Sequence, residues 1–302
     1  MNLAHYLLSK SFAWEVIYNL IVGKTAEYDE NPHKAPACQL PANKVQHIVI
    51  PMHWWQQQTK RKQIILVAIL ILASYGIYQL ITFIQFARDP RGQAFLQWAR
   101  GDNATRAALI TTRREPCPGA PFILPADGFI GLLYADPRGP YSASNPHQGI
   151  DIFSDTPAGV TPVYAAYDGY VTREPGWRSA LIMRVPDDPL QPGRQIWLYY
   201  THMADKEGNS FIVDEFPPGT REKFVERGTL LGYTGDYNGN SPRTIWVHLH
   251  FSIVLDDGNG RYLNELDFEN TLDPSPYLGM AVNYHCAPAT PGCTPTPTCT
   301  ES

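Results

Sequence analysis

The chain has 302 residues, of which 44% are hydrophobic, and its formal net charge is -5 at pH 7. This length allows one globular domain with accessory segments, and the composition is ordinary for a folded protein. The small acidic charge argues against binding to nucleic acid, which requires a surplus of basic residues.

The first 23 residues predict an amphipathic helix. Apolar side chains recur near helical spacing in this segment, at Leu3, Tyr6, Leu7, Trp14, Ile17 and Ile21. The charges of Lys10 and Glu15 argue against a transmembrane helix here. Two placements are open: on the inner surface of a membrane, or packed on a neighbouring element of a cytosolic region.

A membrane-spanning helix is predicted next. Residues 64–86 read IILVAILILASYGIYQLITFIQF, which is 23 residues without a charge. At about 1.5 Å per residue, a helix of this length covers roughly 34 Å, enough to cross the hydrocarbon core of a bilayer with some tilt. The segment is too long, and lies too far from the first residue, for a signal peptide. The sequence therefore predicts one transmembrane helix within residues 60–88.

The cysteines decide the orientation that we predict for this helix. Basic residues flank it on both sides, so that the charge near the membrane is almost balanced. Cys38 precedes the helix, whereas Cys117, Cys286, Cys293 and Cys299 follow it. An even set of cysteines suits an oxidising compartment, so we expect the N-terminus in the cytoplasm and the C-terminal region outside the cell membrane. Four cysteines allow three disulfide pairings, and the sequence does not select one.

Beyond the membrane helix, the pattern changes from helical to β. Residues 92–114 predict helix, broken around Gly101, and a Pro-rich linker follows. From Ala120 onward, short apolar runs such as 179–185 and 195–200 alternate with turn-forming clusters. This spacing predicts a mainly antiparallel β-sheet or sandwich.

We therefore predict a mainly β protein with five regions. They are an N-terminal cytoplasmic region (1–59), a transmembrane segment (60–88), a juxtamembrane helix with a linker (89–119), a β domain (120–280) and a Cys/Pro/Thr-rich tail (281–302). The end of the tail cannot form a core of its own, because it has few apolar residues.

Four histidines and one aspartate form the most informative pattern in the predicted β domain. His147 and Asp151 make a His-x-x-x-Asp motif, and His248 and His250 make a His-x-His motif about a hundred residues later. Imidazole and carboxylate are usual ligands of catalytic zinc, which keeps a fourth position open for water. The β-branched and aromatic residues around the second motif predict a strand, which places its two histidines on one face. His202 fits a catalytic histidine that does not bind the metal.

The relation between His147 and Asp151 depends on the backbone between them. On a continuous strand the two side chains share a face, because four is an even number of residues. A turn near Gly149 would remove this relation.

These motifs resemble those of the lysostaphin/LytM-type zinc endopeptidases, which hydrolyse peptide bonds in bacterial peptidoglycan. The resemblance covers residues 120–278, and its segments are PHQGIDIF (146–153), TPVYAAYDGYV (161–171), RGTLLGYTG (227–235) and HLHF (248–251). It implies an antiparallel β fold with the site in a groove on one sheet. It also implies one Zn2+ ion bound by His147, Asp151 and His250, with His202 and His248 as catalytic histidines. Which of these two acts as general base stays open.

The sequence departs from the family pattern at three places. Ser252 stands where the family often has an acidic residue, and Val247 stands where it often has proline. The loop after His202 is long and contains Pro217 and Pro218. No ligand or catalytic histidine is lost, but the shape of the substrate groove and the cleaved bond stay open.

The sequence thus predicts a single-pass membrane protein whose extracytoplasmic domain is a zinc metalloendopeptidase. Its expected substrates are peptidoglycan peptides, cut within stem peptides or cross-bridges. Two alternatives stay open: an envelope module that binds wall peptides or recruits a partner without hydrolysis, and a zinc peptidase that acts on a protein.

Overall fold

A computed structural model describes residues 60–112, 115–138, 140–239 and 245–294. The helices are α1 (Lys60–Arg88), α2 (Pro90–Arg100), α3 (Asn103–Ala107) and α4 (Ser275–Leu278), with a 3-10 helix at Phe268–Asn270. The strands are β1 (Phe129–Leu132), β2 (Ile150–Phe153), β3 (Pro162–Tyr164), β4 (Gly169–Thr172), β5 (Leu181–Val185), β6 (Ile196–Thr201), β7 (Lys223–Val225), β8 (Leu230–Tyr233), β9 (His248–Leu255) and β10 (Thr271–Leu272). The helix predicted for residues 1–23, Cys38 and Cys299 lie outside the described residues.

Helix α1 contains the apolar segment that the sequence singles out. Its residues Lys62–Arg88 are long and apolar enough to cross a membrane. The large apolar side chains along the helix, from Ile64 to Ile84, are exposed rather than packed in a core. Such a surface is unusual for a protein that is surrounded by water on all sides.

One antiparallel sheet of eight strands forms the body of the domain. Its strand order is β1-β2-β9-β6-β5-β4-β7, with β10 paired to β9 beside this path. Strands β3 and β8 form a separate antiparallel pair. The predicted mainly antiparallel β fold is confirmed.

Strand β9 lies at the centre of this sheet and divides its residues between two faces. Leu249, Phe251 and Ile253 belong to the main hydrophobic core. The residues between them alternate to the opposite face, because successive side chains of a strand point in opposite directions. That second face carries His248 and His250.

The helical segment after α1 packs on the edge of the sheet. The predicted break near Gly101 is present, because α2 ends at Arg100 and α3 begins at Asn103. Trp98 of α2 is buried and stacks on Phe129 of β1, with their ring centroids 5.2 Å apart.

One of the three possible disulfide arrangements is selected by the fold. Cys117 is bonded to Cys293, across a sequence separation of 176 residues. The bond joins the segment that enters the β domain to the segment that leaves it. Cys286 is disulfide-bonded as well.

Loss of the Cys117–Cys293 bond should lower the stability of the oxidised protein. Closing a loop of 176 residues in the unfolded chain contributes up to about 5 kcal/mol by the chain-entropy argument. Cys117→Ala, Cys293→Ala and the double variant should lose the same free energy of unfolding, because each removes the same cross-link. Denaturant unfolding in detergent, with and without reductant, measures this. Additive losses in the double variant would contradict the pairing.

Candidate active site

Strand pairing brings two of the predicted ligands face to face. In the β2–β9 ladder, Asp151 is the register partner of His250. Residues opposite each other on paired strands project to the same face. Accordingly, Oδ1 of Asp151 lies 2.9 Å from Nδ1 of His250, and both residues are buried.

His147 joins this pair through a turn, not through a shared strand face. Strand β2 begins only at Ile150, and the backbone bends at residues 148–149. A Cβ atom at Gly149 would lie 2.3 Å from the carbonyl oxygen of Phe251, so only glycine allows this close approach. The bend places Nε2 of His147 3.0 Å from Nδ1 of His250 and 3.3 Å from Oδ1 of Asp151.

The proton positions on the two imidazoles leave lone pairs where the three side chains meet. Nδ1 of His147 lies 3.0 Å from the carbonyl oxygen of Leu133 and donates to it, because a carbonyl can only accept. Nε2 of His250 donates in the same way to a carboxylate oxygen of Glu265, 2.7 Å away. The inner atoms are then Nε2 of His147 and Nδ1 of His250. Nδ1 of His250 lies 2.9 Å from Asp151, and it offers a lone pair to a metal once its ring has lost the second proton.

This arrangement fits one zinc ion. Two imidazoles and a carboxylate are the donor set of a catalytic zinc site, and ligand atoms about 2.1 Å from a tetrahedral ion lie roughly 3.4 Å from one another. The potential ligand atoms of His147, Asp151 and His250 all lie within 4.8 Å of one another. Buried lone pairs at such distances repel unless a positive charge, either a proton on His250 or a metal ion in its place, lies among them.

The electrostatics of the site favour positive charge. Burial opposes a charge on His250, but the carboxylates of Glu265 and Asp151 outweigh it and raise the pKa of His250 to about 10. Burial likewise opposes the charge on Asp151, yet His147 and His248 hold the pKa of Asp151 well below its usual range. The protein therefore holds Asp151 ionised and supplies a negative field at the point where the three side chains meet.

Glu265 is a residue of this site that sequence reasoning missed. It lies in the loop after β9, is half-buried, and bonds through Oε1 to both His250 and the hydroxyl of Ser252, which donates over 3.2 Å. His250 and Ser252 are two residues apart on β9, so both face it. A carboxylate that accepts from the outer nitrogen of a ligand histidine fixes the ring and increases its basicity. One departure from the lysostaphin/LytM-type pattern bears on it: Ser252 stands where an acidic residue is frequent. This departure does not indicate that Glu265 provides the carboxylate instead.

His202 and His248 form a second pair beside the first. Their ring centroids are 4.4 Å apart. Nδ1 of His202 donates to the carbonyl oxygen of Tyr237 over 2.7 Å, and Nδ1 of His248 donates to that of Trp246 over 2.6 Å. In each neutral ring, Nε2 is therefore the unprotonated nitrogen.

Burial keeps both of these histidines neutral near pH 7. It lowers the pKa of His202 to about 3, with a further contribution from the neighbouring histidines. It also lowers the pKa of His248, although Asp151 opposes the shift. His202 has φ = 71°, a left-handed conformation that costs about 1–3 kcal/mol in a residue with a side chain. Such strain is typical of functional sites, where the surrounding structure fixes the residue.

Four of these five residues, Asp151, His202, His248 and His250, border one groove of about 820 Å³. His147 is fully buried behind them. The walls of the groove are largely apolar and come from Phe95, Leu132, Tyr141, Tyr199, Trp246 and Leu266. Tyr141 stacks on His147 with 4.4 Å between ring centroids. Phe95 belongs to α2, so the segment before the β domain contributes to the groove. An open groove of this size accommodates an extended peptide.

Removal of Glu265 should weaken zinc binding without unfolding the protein. Glu265→Ala should lower zinc affinity about 10- to 100-fold, the usual effect of losing an outer carboxylate partner. Glu265→Gln should lower it less, because the amide oxygen still accepts from Nε2 of His250. Competition with a chelator measures the affinities, and Glu269→Ala, in the same region of the chain, is the matched control. Equal affinities in all four proteins would contradict the assigned contact.

Comparison with known proteins gives matches among solved structures. No protein-family model matches the sequence, and neither does any curated protein. A crystal structure assigned as a glycyl-glycine endopeptidase LytM from Ruminococcus gnavus is 27% identical, with 46% of this chain and 48% of that chain covered and a TM-score of 0.30. One assigned as an M23 peptidase from Pseudomonas aeruginosa is 21% identical, with 58% of each chain covered and a TM-score of 0.31.

The solution structure of lysostaphin is a third match. It is 20% identical, with 56% of each chain covered and a TM-score of 0.33. The chain thus spans about half the length of these solved structures. The names they carry are those of the LytM, M23 and lysostaphin peptidases, to which this chain is similar.

Proposed function

We propose that this chain is a membrane-anchored zinc endopeptidase that hydrolyses peptide bonds in peptidoglycan stem peptides or cross-bridges. One observation carries the proposal: three buried side chains of a catalytic zinc donor set lie together, and two of them, Asp151 and His250, share a groove with two neutral histidines. A site that only stored metal would not need the second pair. The resemblance of the surrounding segments to the lysostaphin/LytM-type family supplies the substrate class.

In this proposal each residue has a chemical task. His147, Asp151 and His250 hold one zinc ion, which when bound supplies a Lewis acid that activates water and polarises a carbonyl group. Glu265 orients the ring of His250. His202 and His248 move the proton.

The proton transfer follows from the tautomers. Because its Nδ1 proton is tied to a backbone carbonyl, each catalytic ring accepts a second proton only at Nε2. A neutral ring of low pKa accepts that proton briefly and gives it up readily to the leaving nitrogen. While protonated, the same Nε2–H is a donor within the groove for the developing oxyanion. The apolar walls limit water and strengthen these interactions.

We further propose that α1 spans a bacterial cell membrane, with residues 1–59 in the cytoplasm and the β domain, residues 120–280, outside. The length, apolar composition and exposed side chains of α1 support the span. The Cys117–Cys293 disulfide supports an oxidising compartment for the domain.

Two substitutions separate metal binding from proton transfer. His147→Ala should lose zinc and activity together, because it removes a ligand. His248→Ala should lose activity by at least about 100-fold, the usual contribution of acid–base catalysis, while retaining most of its zinc. Zinc content after dialysis, beside cleavage rates, distinguishes the two. Strong zinc loss in His248→Ala would contradict the assignment of His248 to proton transfer rather than to metal binding.

The reaction itself is tested on purified peptidoglycan. The zinc-loaded chain in detergent should release fragments with new peptide termini, which mass spectrometry assigns to one bond. His250→Ala is the inactive control. If the zinc-loaded chain releases nothing, a binding role or a protein substrate replaces this proposal.

A further inference from the structure

The corner between α1 and α2 contains no flexible linker. Helix α1 ends at Arg88 and α2 begins at Pro90, so a single residue lies between them. That residue, Asp89, caps α2 by accepting from the backbone nitrogen of Arg91 over 3.0 Å. Gly92 is buried, and a Cβ atom there would lie 1.8 Å from the carbonyl oxygen of Phe86. The two helix backbones are therefore in contact, and only glycine allows this.

The corner is also attached to the β domain and to the segment that follows it. The Arg91 guanidinium lies over the ring of Tyr284, 4.4 Å from its centroid, and donates to the Tyr284 carbonyl oxygen. Arg138 lies over two rings, 5.4 Å from the centroid of Phe86 and 5.2 Å from that of Tyr284. Arg138 is itself held by the buried carboxylate of Asp136 at 2.5 Å. The last turn of α1 thus touches side chains of the β domain directly.

Helix α2 connects the end of α1 to the groove. The ring of Phe95 meets that of Phe86 edge to face, with 6.1 Å between centroids. The opposite neighbour of Phe95 is Trp246, stacked at 5.4 Å. Phe95 and Trp246 both line the groove of the active site. One aromatic ring therefore separates the groove from the end of the apolar helix.

These contacts limit where the enzyme can act. Phe86 is the last large apolar residue before the charge of Arg88, so it lies at the edge of the hydrocarbon when α1 spans a bilayer. The groove then lies at the membrane surface and cannot move away from it. A substrate must come to that surface, and a substrate confined to the same bilayer is present there at a high effective concentration.

We propose that the groove acts on wall peptides that are still attached to a membrane lipid, and not on peptides of the mature wall. This inference rests on the proposed function, because it names the form in which the substrate reaches the same site. In this proposal, α2 holds the groove at the membrane surface, and Phe95 forms part of the surface that binds the substrate.

The test compares one chain in two environments. The full zinc-loaded chain is placed in phospholipid vesicles, with rates normalised to outward-facing molecules, and also in detergent. The first probe is purified peptidoglycan. The second is an intact peptide that contains the bond cleaved in the detergent digest. This peptide is supplied either free in solution or attached by a short spacer to phosphatidylethanolamine in the same vesicles. In vesicles, the lipid-attached peptide should be cut at least tenfold faster than the soluble one. Peptidoglycan should be digested in detergent but at least tenfold more slowly by the vesicle-bound chain.

An insertion tests the corner itself. Twenty Gly/Ser residues between Arg88 and Asp89 add a reach of roughly 25 Å, and should restore peptidoglycan digestion in vesicles. The same insertion after Gly193, in the exposed turn between β5 and β6 that does not line the groove, is the control and should restore nothing. Equal rates on soluble and lipid-attached peptide, or no effect of the corner insertion, would overturn the inference and leave the endopeptidase standing. No cleavage of any probe in either environment would overturn both.

Discussion

The register of the β2–β9 ladder is the constraint on which the site depends. Pairing Asp151 with His250 places a carboxylate and an imidazole on one face, while Leu249 and Phe251 fill the core on the other. A slip of one residue would reverse the two faces of β9 and place leucine and phenylalanine where the histidines now lie. The hydrophobic core thus fixes the positions of the polar residues, and the site cannot assemble in a partly ordered sheet.

Around that ladder, backbone carbonyl groups determine the chemistry of the imidazoles. Three of the four rings donate through Nδ1 to a carbonyl oxygen, from Leu133, Tyr237 and Trp246. The exception is His250, whose outer proton lies on Nε2 and points to Glu265. This difference in tautomer turns Nδ1 of His250 inward, toward Nε2 of His147. Fixed backbone dipoles therefore distribute the donor and acceptor roles before any substrate is present.

The parts of this arrangement that follow from local periodicity could be predicted from the sequence. Alternation along a strand is sufficient to place His248 beside His250, and turn spacing is sufficient to predict an antiparallel sheet. His147 approaches through a turn at Gly149, a possibility that the sequence raises but does not decide. Contacts between distant segments could not be predicted. Glu265 reaches His250 from a loop, Phe95 stacks on Trp246 from a helix before the domain, and Cys117 selects Cys293 only because the folded chain brings them together.

The position of Glu265 has a consequence for how this protein can diversify. Its neighbour Leu266 lines the groove, whereas Glu265 itself bonds to His250. If an acidic residue on β9 accepted the hydrogen bond from His250, the loop could vary without affecting that bond. Here a mutation that reshapes the loop for a new substrate also displaces the carboxylate behind His250. A change in this loop therefore affects both substrate preference and metal affinity, and selection on one property also acts on the other.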